Sequence, residues 1–155
     1  MPAVLVIGSA CSGSGGDKFT TQAVTEALKK HLGCKSTART VFACEKNEKK
    51  QAWIHQVYES NPDICCFTDI VNLDKVACQC SRHGKQCFVQ AVFIYLCGFS
   101  CTSVSKMNKN SGNFSLNEVN ATSTTFFGAR NYVRTHKPPI FVFESVDAMN
   151  DSESK

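Results

Sequence analysis

Cys101 follows a glycine-marked turn at Gly98, directly after the apolar run 91–96. An apolar run without alternation is typical of a strand buried on both faces of a parallel sheet. Ligands bind at the carboxyl ends of such strands, so we expect Cys101 at the mouth of a cleft. A cysteine in that position can act as a nucleophile, and its alternative role is that of a small buried apolar residue.

Three earlier strand ends carry residues suited to holding a nucleoside. Gly13, Gly15 and Gly16 lie between the first predicted strand and helix, where a ligand can approach the backbone near the positive end of the helix dipole. Glu45 and Asp69 follow the second and third predicted strands, where this topology uses an acid to hold ribose hydroxyls. Either acid alone also fits a solvated carboxylate or a helix cap. Together, the three strand ends predict a bound nucleoside, with adenosine favoured.

Four residues able to ligate a soft metal lie close together in the sequence, and they are Cys78, Cys80, His83 and Cys87. The set could hold a tetrahedral zinc ion, which would make the chain a metal-stabilised binding module. The spacing is tighter than the usual paired C-x-x-C arrangement. It therefore favours a cysteine-rich loop insertion, and we assign no metal to the chain.

Strand-like and helix-like segments alternate along the chain, and they must position these residues. The strand-like runs are 4–7, 40–44, 64–67, 89–96 and 140–143. The helix-like segments are 17–31, 47–59 and 122–135. This alternation predicts an α/β fold with a mostly parallel sheet. Segments 76–90 and 106–120 are expected to be irregular, the second as a mobile loop over the site.

The composition limits the chain to one domain. It has 155 residues, 43% of them hydrophobic, with 17 lysines and arginines against 13 acids. The net charge of +4 names no partner by itself. The start of the chain lacks a basic-then-apolar leader, and no apolar run approaches membrane-spanning length, so we expect a soluble intracellular protein. The ten cysteines fit a reducing compartment, because several fall within predicted strands.

In chain order, five features resemble the motifs of the DNA (cytosine-5)-methyltransferase family. They are the glycine-rich turn, Glu45, Asp69, the Gly-Phe-Ser-Cys segment that ends at Cys101, and the Glu-Ser-Val segment that begins at Glu144. The resemblance extends from about Leu5 to Val146. It implies a Rossmann-like fold with a mostly parallel sheet flanked by helices. It also implies a methyltransferase activity that depends on S-adenosylmethionine.

The resemblance also implies roles for individual residues. Cys101 would add to C6 of a cytosine, and Glu144 would engage N3 of the same ring. The residues implied to hold S-adenosylmethionine are Cys11, Ser12, Gly13, Gly15, Gly16, Glu45, Lys46, Asp69 and Ile70. Cys11 and Lys46 stand where the family has an aromatic and an apolar residue. The implied substrate is DNA with its cytosine flipped out of the duplex, which places the protein in the nucleus and away from membranes.

The family continues beyond the Glu-Asn-Val region with a target-recognition domain and a returning helix. We therefore expect residues 1–155 to form an incomplete catalytic domain without a target-recognition domain, which works with a missing C-terminal half or a partner chain. Three alternatives stay open. They are an inactive or fragmentary relative that binds cofactor or a protein partner, the zinc-stabilised module, and an RNA cytosine methyltransferase.

Overall fold

Seven strands form one sheet in the computed structural model, which describes residues 4–33, 37–100 and 119–145. The strands are β1 (Val4–Ala10), β2 (Thr37–Cys44), β3 (Cys65–Phe67), β4 (Ala77–Cys80), β5 (Lys85–Phe88), β6 (Ile94–Gly98) and β7 (Ile140–Glu144). The helices are α1 (Gly16–Leu32), α2 (Glu48–Val57) and α3 (Ala121–His136), with a 3-10 helix at Ile70–Asn72. The predicted α/β class is confirmed, and the three predicted helices are present.

The strand order is β5-β4-β3-β2-β1-β6-β7. All pairs among β3, β2, β1, β6 and β7 are parallel, whereas β4 and β5 are antiparallel. The connections through α1 and α2 run in one direction along the sheet, and the connection through α3 runs in the other. Right-handed crossovers therefore place α3 on the opposite face from α1 and α2. This arrangement is compatible with a Rossmann-like fold.

Alternate residues of β2 fill the core on the two faces of the sheet. Phe42 packs against Tyr132 of α3 with ring centroids 5.6 Å apart, and Tyr132 stacks on Tyr95 of β6 at 4.3 Å. The next residue, Ala43, is fully buried on the other face, in a cluster with Ile54 of α2. This period-2 alternation lets one strand hold both helical layers.

Two glycines allow neighbouring elements of the fold to pack closely against each other. A Cβ on Gly8 of β1 would lie 2.3 Å from the ring of Phe42, so only glycine admits that ring. A Cβ on Gly128 of α3 would lie 3.1 Å from the carbonyl oxygen of Ile70. The second contact seats α3 on the 3-10 helix that follows Asp69, and so fixes the end of β3.

Two predictions about the sheet are wrong. Segment 76–90 is not irregular, because β4 and β5 form an antiparallel hairpin within it. The strand predicted over 89–96 begins only at Ile94. Val89 and Val92 are apolar because they are buried in the core, at 0% and 4% exposure, although neither belongs to a strand. In the part of the chain described here, no helix is both long and apolar enough to cross a membrane.

Candidate functional site

A cavity of about 400 Å³ lies at the carboxyl ends of β1, β6 and β7. Its wall includes the turn after β1 and the first turn of α1, with Cys11, Ser12 and Gly16 among the predicted cofactor residues. Glu144, the predicted catalytic acid, lines the same cavity. Small-molecule sites typically enclose roughly 300 to 1,000 Å³, so this cavity is large enough for a ligand.

The turn after β1 is shaped by left-handed backbone conformations. Gly13 and Gly15 have φ of 54° and 76°, and Cys11 has φ of 54°. The Ser12 hydroxyl lies 2.6 Å from that of Ser9 and accepts a hydrogen bond from the Cys44 amide at 3.2 Å. These contacts join the end of β1 to the end of β2 and hold the turn against the sheet.

Glu45 holds this turn in place by hydrogen bonds and is not among the residues that line the cavity. Its side chain is 8% exposed. Oε2 accepts a hydrogen bond from the Gly13 amide and Oε1 accepts one from the Asn47 amide, both at 3.0 Å. Each carboxylate oxygen can accept a second hydrogen bond. The geometry therefore gives Glu45 a positioning role, and its predicted contact with ribose stays a prediction.

Asp69, Lys46 and Ile70 lie together at the ends of β2 and β3, outside the lining of the cavity. Asp69 caps the 3-10 helix, where Oδ1 accepts a hydrogen bond from the Val71 amide at 3.2 Å. Its Oδ2 lies 4.0 Å from Nζ of Lys46, and Ile70 is buried beneath α3. The structure thus brings the residues after β1 together with Glu144, but not with these three residues.

Asp17 is a cavity residue that sequence reasoning missed. It is 5% exposed, and its Oδ2 accepts a hydrogen bond from the Tyr58 hydroxyl at 2.5 Å. Its Oδ1 is buried without a hydrogen-bond partner among the described residues. Burial raises the pKa of this carboxyl above its ordinary value. An acid in the first turn of a helix is commonly explained by its favourable interaction with the helix dipole. The type and position of Asp17 in the sequence therefore gave no sign that it lines a cavity.

The predicted nucleophile, Cys101, lies outside the described residues. The structure does describe the residues that lead to it, up to Ser100. Phe99 packs against Phe126 of α3, with ring centroids 5.5 Å apart, and the Ser100 amide donates a hydrogen bond to Oγ1 of Thr125 at 3.0 Å. These contacts hold the end of β6 against the first turns of α3.

Glu144 lies beside that segment because β6 and β7 pair in register. Gly98 is the partner of Glu144 across the two strands. A Cβ on Gly98 would lie 3.1 Å from Oε2 of Glu144, which is closer than ordinary van der Waals contact. Gly98, three residues before Cys101, therefore leaves room for the Glu144 carboxylate.

Two thiols also meet at the cavity. A hydrogen bond from the Cys97 thiol lowers the pKa of Cys11, and the same contact raises the pKa of Cys97. Both residues line the cavity, so its wall carries polarisable thiols at this point.

A second group of side chains lies on the other half of the sheet. The ligand atoms of Cys65, Cys80, His83 and Cys87 all lie within 4.8 Å of one another. Three of these residues belong to the predicted zinc set, but Cys78 does not join them. Its thiol faces the Asp69 carbonyl oxygen at 3.9 Å. Cys65 takes its place because β3 pairs with β4, a long-range contact that no local spacing motif reveals.

Comparison with known proteins finds a distant relative. No family model matches the chain. The chain is 29% identical over 143 residues to the "DNA (cytosine-5-)-methyltransferase DMT5" of the fungus Cryptococcus neoformans var. grubii. The alignment covers 92% of this chain, which spans 6% of the length of that relative. At this distance, the similarity supports a relationship to DNA cytosine-5-methyltransferases.

Proposed function

We propose that this chain supplies the cofactor-binding and nucleophile half of an S-adenosylmethionine-dependent DNA (cytosine-5)-methyltransferase. The observation that carries the proposal is that the turn after β1 and Glu144 of β7 line the same cavity. The chain leading to Cys101 is anchored beside Glu144 through Ser100. The similarity to a fungal enzyme of this class, over 92% of the chain, supports the same conclusion.

The cavity suits a cationic nucleoside-derived cofactor. Oδ1 of Asp17, which has no hydrogen-bond partner among the described residues, is buried in the cavity wall and can accept a hydrogen bond from an ammonium group or face a sulfonium. The turn at Cys11, Ser12 and Gly16 presents backbone to the ligand at the start of α1. When bound there, S-adenosylmethionine supplies the methyl group. Ribose contacts by Glu45 and by Asp69 are part of the proposal.

The chemistry of Cys101 and Glu144 follows from the electronic demand of cytosine. C5 becomes a nucleophile only after a group adds at C6. The Cys101 thiolate forms an Sγ–C6 bond while Glu144 donates a hydrogen bond or a proton to N3, and the C5–C6 electron pair moves to C5. After C5 acquires the methyl group, loss of the C5 proton to a base and cleavage of the Sγ–C6 bond restore the thiolate, and return of any proton on N3 to Glu144 restores the ring.

DNA is the proposed substrate, with its cytosine extruded from the base stack so that C6 can reach the thiolate. The excess of basic residues, a net charge of +4, is compatible with contacts to phosphates. We propose that sequence reading and completion of the site involve a further segment or a partner chain. A nuclear location follows from DNA as the substrate.

Calorimetric titration of S-adenosylmethionine and S-adenosylhomocysteine into the full chain tests the cofactor half. We expect binding by the wild type and at least tenfold weaker binding by Asp17→Asn, because a hydrogen bond to a charged group contributes about 1.5 to 3 kcal/mol. Asp63→Asn is the matched control, since Asp63 is an exposed acid in the loop before β3. A folded chain that binds neither compound contradicts the proposal.

Covalent trapping on a duplex containing 5-fluorocytosine tests the nucleophile, because fluorine at C5 prevents the elimination step. Mass spectrometry should find an adduct on Cys101 in the presence of S-adenosylmethionine, and Cys101→Ser should abolish it. Cys66→Ser, which alters a buried thiol on β3 outside the cavity lining, should retain it. Cofactor binding without any adduct would instead favour an inactive relative that binds the cofactor.

A further inference from the structure

We propose that Cys65, Cys80, His83 and Cys87 bind a structural zinc ion that fixes the β4–β5 hairpin to the parallel part of the sheet. These residues come from the start of β3, the end of β4, the hairpin turn and β5. Three thiols and one imidazole form a complete tetrahedral ligand set for zinc. Because no position is left for water or substrate, the expected role is structural.

The distances within the cluster match those of a zinc site. A tetrahedron with Zn–S bonds of about 2.3 Å and a Zn–N bond of about 2.0 to 2.1 Å has S···N edges of about 3.6 Å. Nδ1 of His83 lies 3.4 Å from Sγ of Cys80, 3.4 Å from Sγ of Cys87 and 3.8 Å from Sγ of Cys65. The four side chains are therefore already arranged around a point that could hold the ion.

The second nitrogen of His83 fixes the orientation that zinc needs. Nε2 lies 3.0 Å from the carbonyl oxygen of Pro62. A carbonyl oxygen can only accept a hydrogen bond, so Nε2 carries the proton and Nδ1 presents its lone pair to the thiols. Histidine ligands of metals are typically oriented by such a contact. The Cys66 amide also donates a hydrogen bond to Sγ of Cys80 at 3.3 Å, which favours a thiolate at that sulfur.

The hairpin is the part of the fold that most needs this cross-link. In the described residues, β3 and β4 pair at one position, Phe67 with Cys80. A two-stranded hairpin is at best marginally stable by itself. Arg82, in the hairpin turn, donates hydrogen bonds to the carbonyl oxygens of His55 and Tyr58 at 3.2 and 3.0 Å. A zinc ion would add a link from the same turn to β3, and so join the hairpin to both α2 and the sheet.

The zinc site is separate from the proposed methyl-transfer site. The cavity lies at β1, β6 and β7, whereas the four ligands lie on β3, β4, β5 and the turn, with β2 between the two groups. The inference consequently does not depend on the proposed activity, and the metal content of the chain tests it directly.

The full 155-residue chain is expressed in zinc-supplemented medium, purified without chelator and examined by native mass spectrometry and elemental analysis. We expect about one zinc per chain. Replacement by Co²⁺ gives a test without substitutions, because a tetrahedral thiolate site produces an intense visible d–d band and a sulfur-to-cobalt charge-transfer band. Less than about 0.2 equivalents of zinc, with no such cobalt spectrum, overturns the proposal. A mass that shows a disulfide among these cysteines overturns it as well.

Two matched serine variants identify the ligands. Cys65→Ser should lose the zinc or bind it at least tenfold more weakly. Cys78→Ser should keep one equivalent, because Cys78 is buried on the same strand as Cys80 but faces the Asp69 carbonyl oxygen. The reverse result, with zinc retained by Cys65→Ser and lost by Cys78→Ser, contradicts this ligand set. Zinc K-edge absorption of the wild type should show three sulfur ligands and one nitrogen ligand, a readout that holds even if Cys65→Ser fails to fold.

Discussion

Gly98 controls the space available to the carboxylate of Glu144, the proposed catalytic acid. It is the last residue of β6, and a Cβ there would lie 3.1 Å from Oε2 of Glu144. Gly98→Ala should displace that carboxylate by a few tenths of an ångström. We expect a lower yield of the 5-fluorocytosine adduct, with the free energy of unfolding unchanged or raised by up to about 1 kcal/mol, because alanine is favoured over glycine in a strand. Adduct formation at the wild-type level would show that Glu144 does not need this space.

Asp17 should make the stability of the chain depend on pH. Burial raises the pKa of Asp17 in the folded chain above the ordinary value of 3.8. Between pH 3.8 and the folded-state pKa, the folded chain therefore holds a proton that the unfolded chain has lost. The stability from this residue is complete below about pH 4 and is lost as the pH rises through the folded pKa. An asparagine does not ionise. Denaturant titrations should therefore show the stability of Asp17→Asn increasing relative to wild type from about pH 4 upward, and a constant difference would contradict the buried acid.

Residue types were sufficient to predict that Glu45 and Asp69 follow strands, but not what each side chain contacts there. Glu45 and Asp69 lie where expected, yet their oxygens accept backbone amides at the turn and the 3-10 helix. Asp17 was missed because its burial depends on Tyr58, 41 positions away in the chain. Cys65 was missed for the same reason, since only sheet pairing brings it to Cys80. Long-range packing cannot be inferred from local spacing.

At the scale of elements, α2 and the end of β2 hold the turn that forms the cavity. Nε1 of Trp53 donates a hydrogen bond to the Ser14 carbonyl oxygen at 3.0 Å, and Nζ of Lys18 donates one to the Val57 carbonyl oxygen at 2.8 Å. Trp53 is 53% exposed. Its indole covers the turn, and its ring N–H has a hydrogen-bond acceptor there.

Glu45→Ala tests this support. The substitution removes the acceptor of the Gly13 and Asn47 amides, and a hydrogen bond to a charged group contributes about 1.5 to 3 kcal/mol. We expect the free energy of unfolding to fall by that amount and the affinity for S-adenosylhomocysteine to fall with it, as measured by denaturant titration and calorimetry. Glu59→Ala removes an exposed acid just after α2 and should change neither quantity. A stable variant with lower affinity would instead favour direct contact between Glu45 and the ligand.

The helices were predictable because their apolar residues recur over three or four turns, whereas the hairpin was not. Its strands have four residues each, too few for alternation to be distinguished from a loop. The apolar segment before β6 was misassigned for a related reason. A buried position favours an apolar residue such as Val89 or Val92 whether or not its backbone belongs to a strand. Composition alone therefore cannot distinguish a buried strand from a buried loop.

At the scale of the whole molecule, the sheet carries two separate centres, with the cavity beside β1, β6 and β7 and the proposed zinc site at β3 to β5. Beyond the cavity, β7 is an edge strand in the described part of the chain. Ile140, Phe141 and Val142 on it are about half exposed, at 46%, 53% and 51%. Apolar groups on an edge strand commonly mark a surface that contacts other protein.

Removal of zinc should separate the contributions of the two centres. At a free zinc concentration about 1,000 times its Kd, the ion stabilises the folded chain by about 4 kcal/mol, so a chelator should lower the melting temperature markedly. Sites without shared partners usually couple by no more than about 0.5 kcal/mol, so affinity for S-adenosylhomocysteine should change by about twofold at most. Calorimetry on zinc-loaded and chelated protein, below the melting temperature of both, measures this difference. A tenfold loss in a chelated chain that stays folded would contradict independence. It would instead implicate Asp69, whose carbonyl oxygen faces the Cys78 thiol of the hairpin, in holding the cofactor.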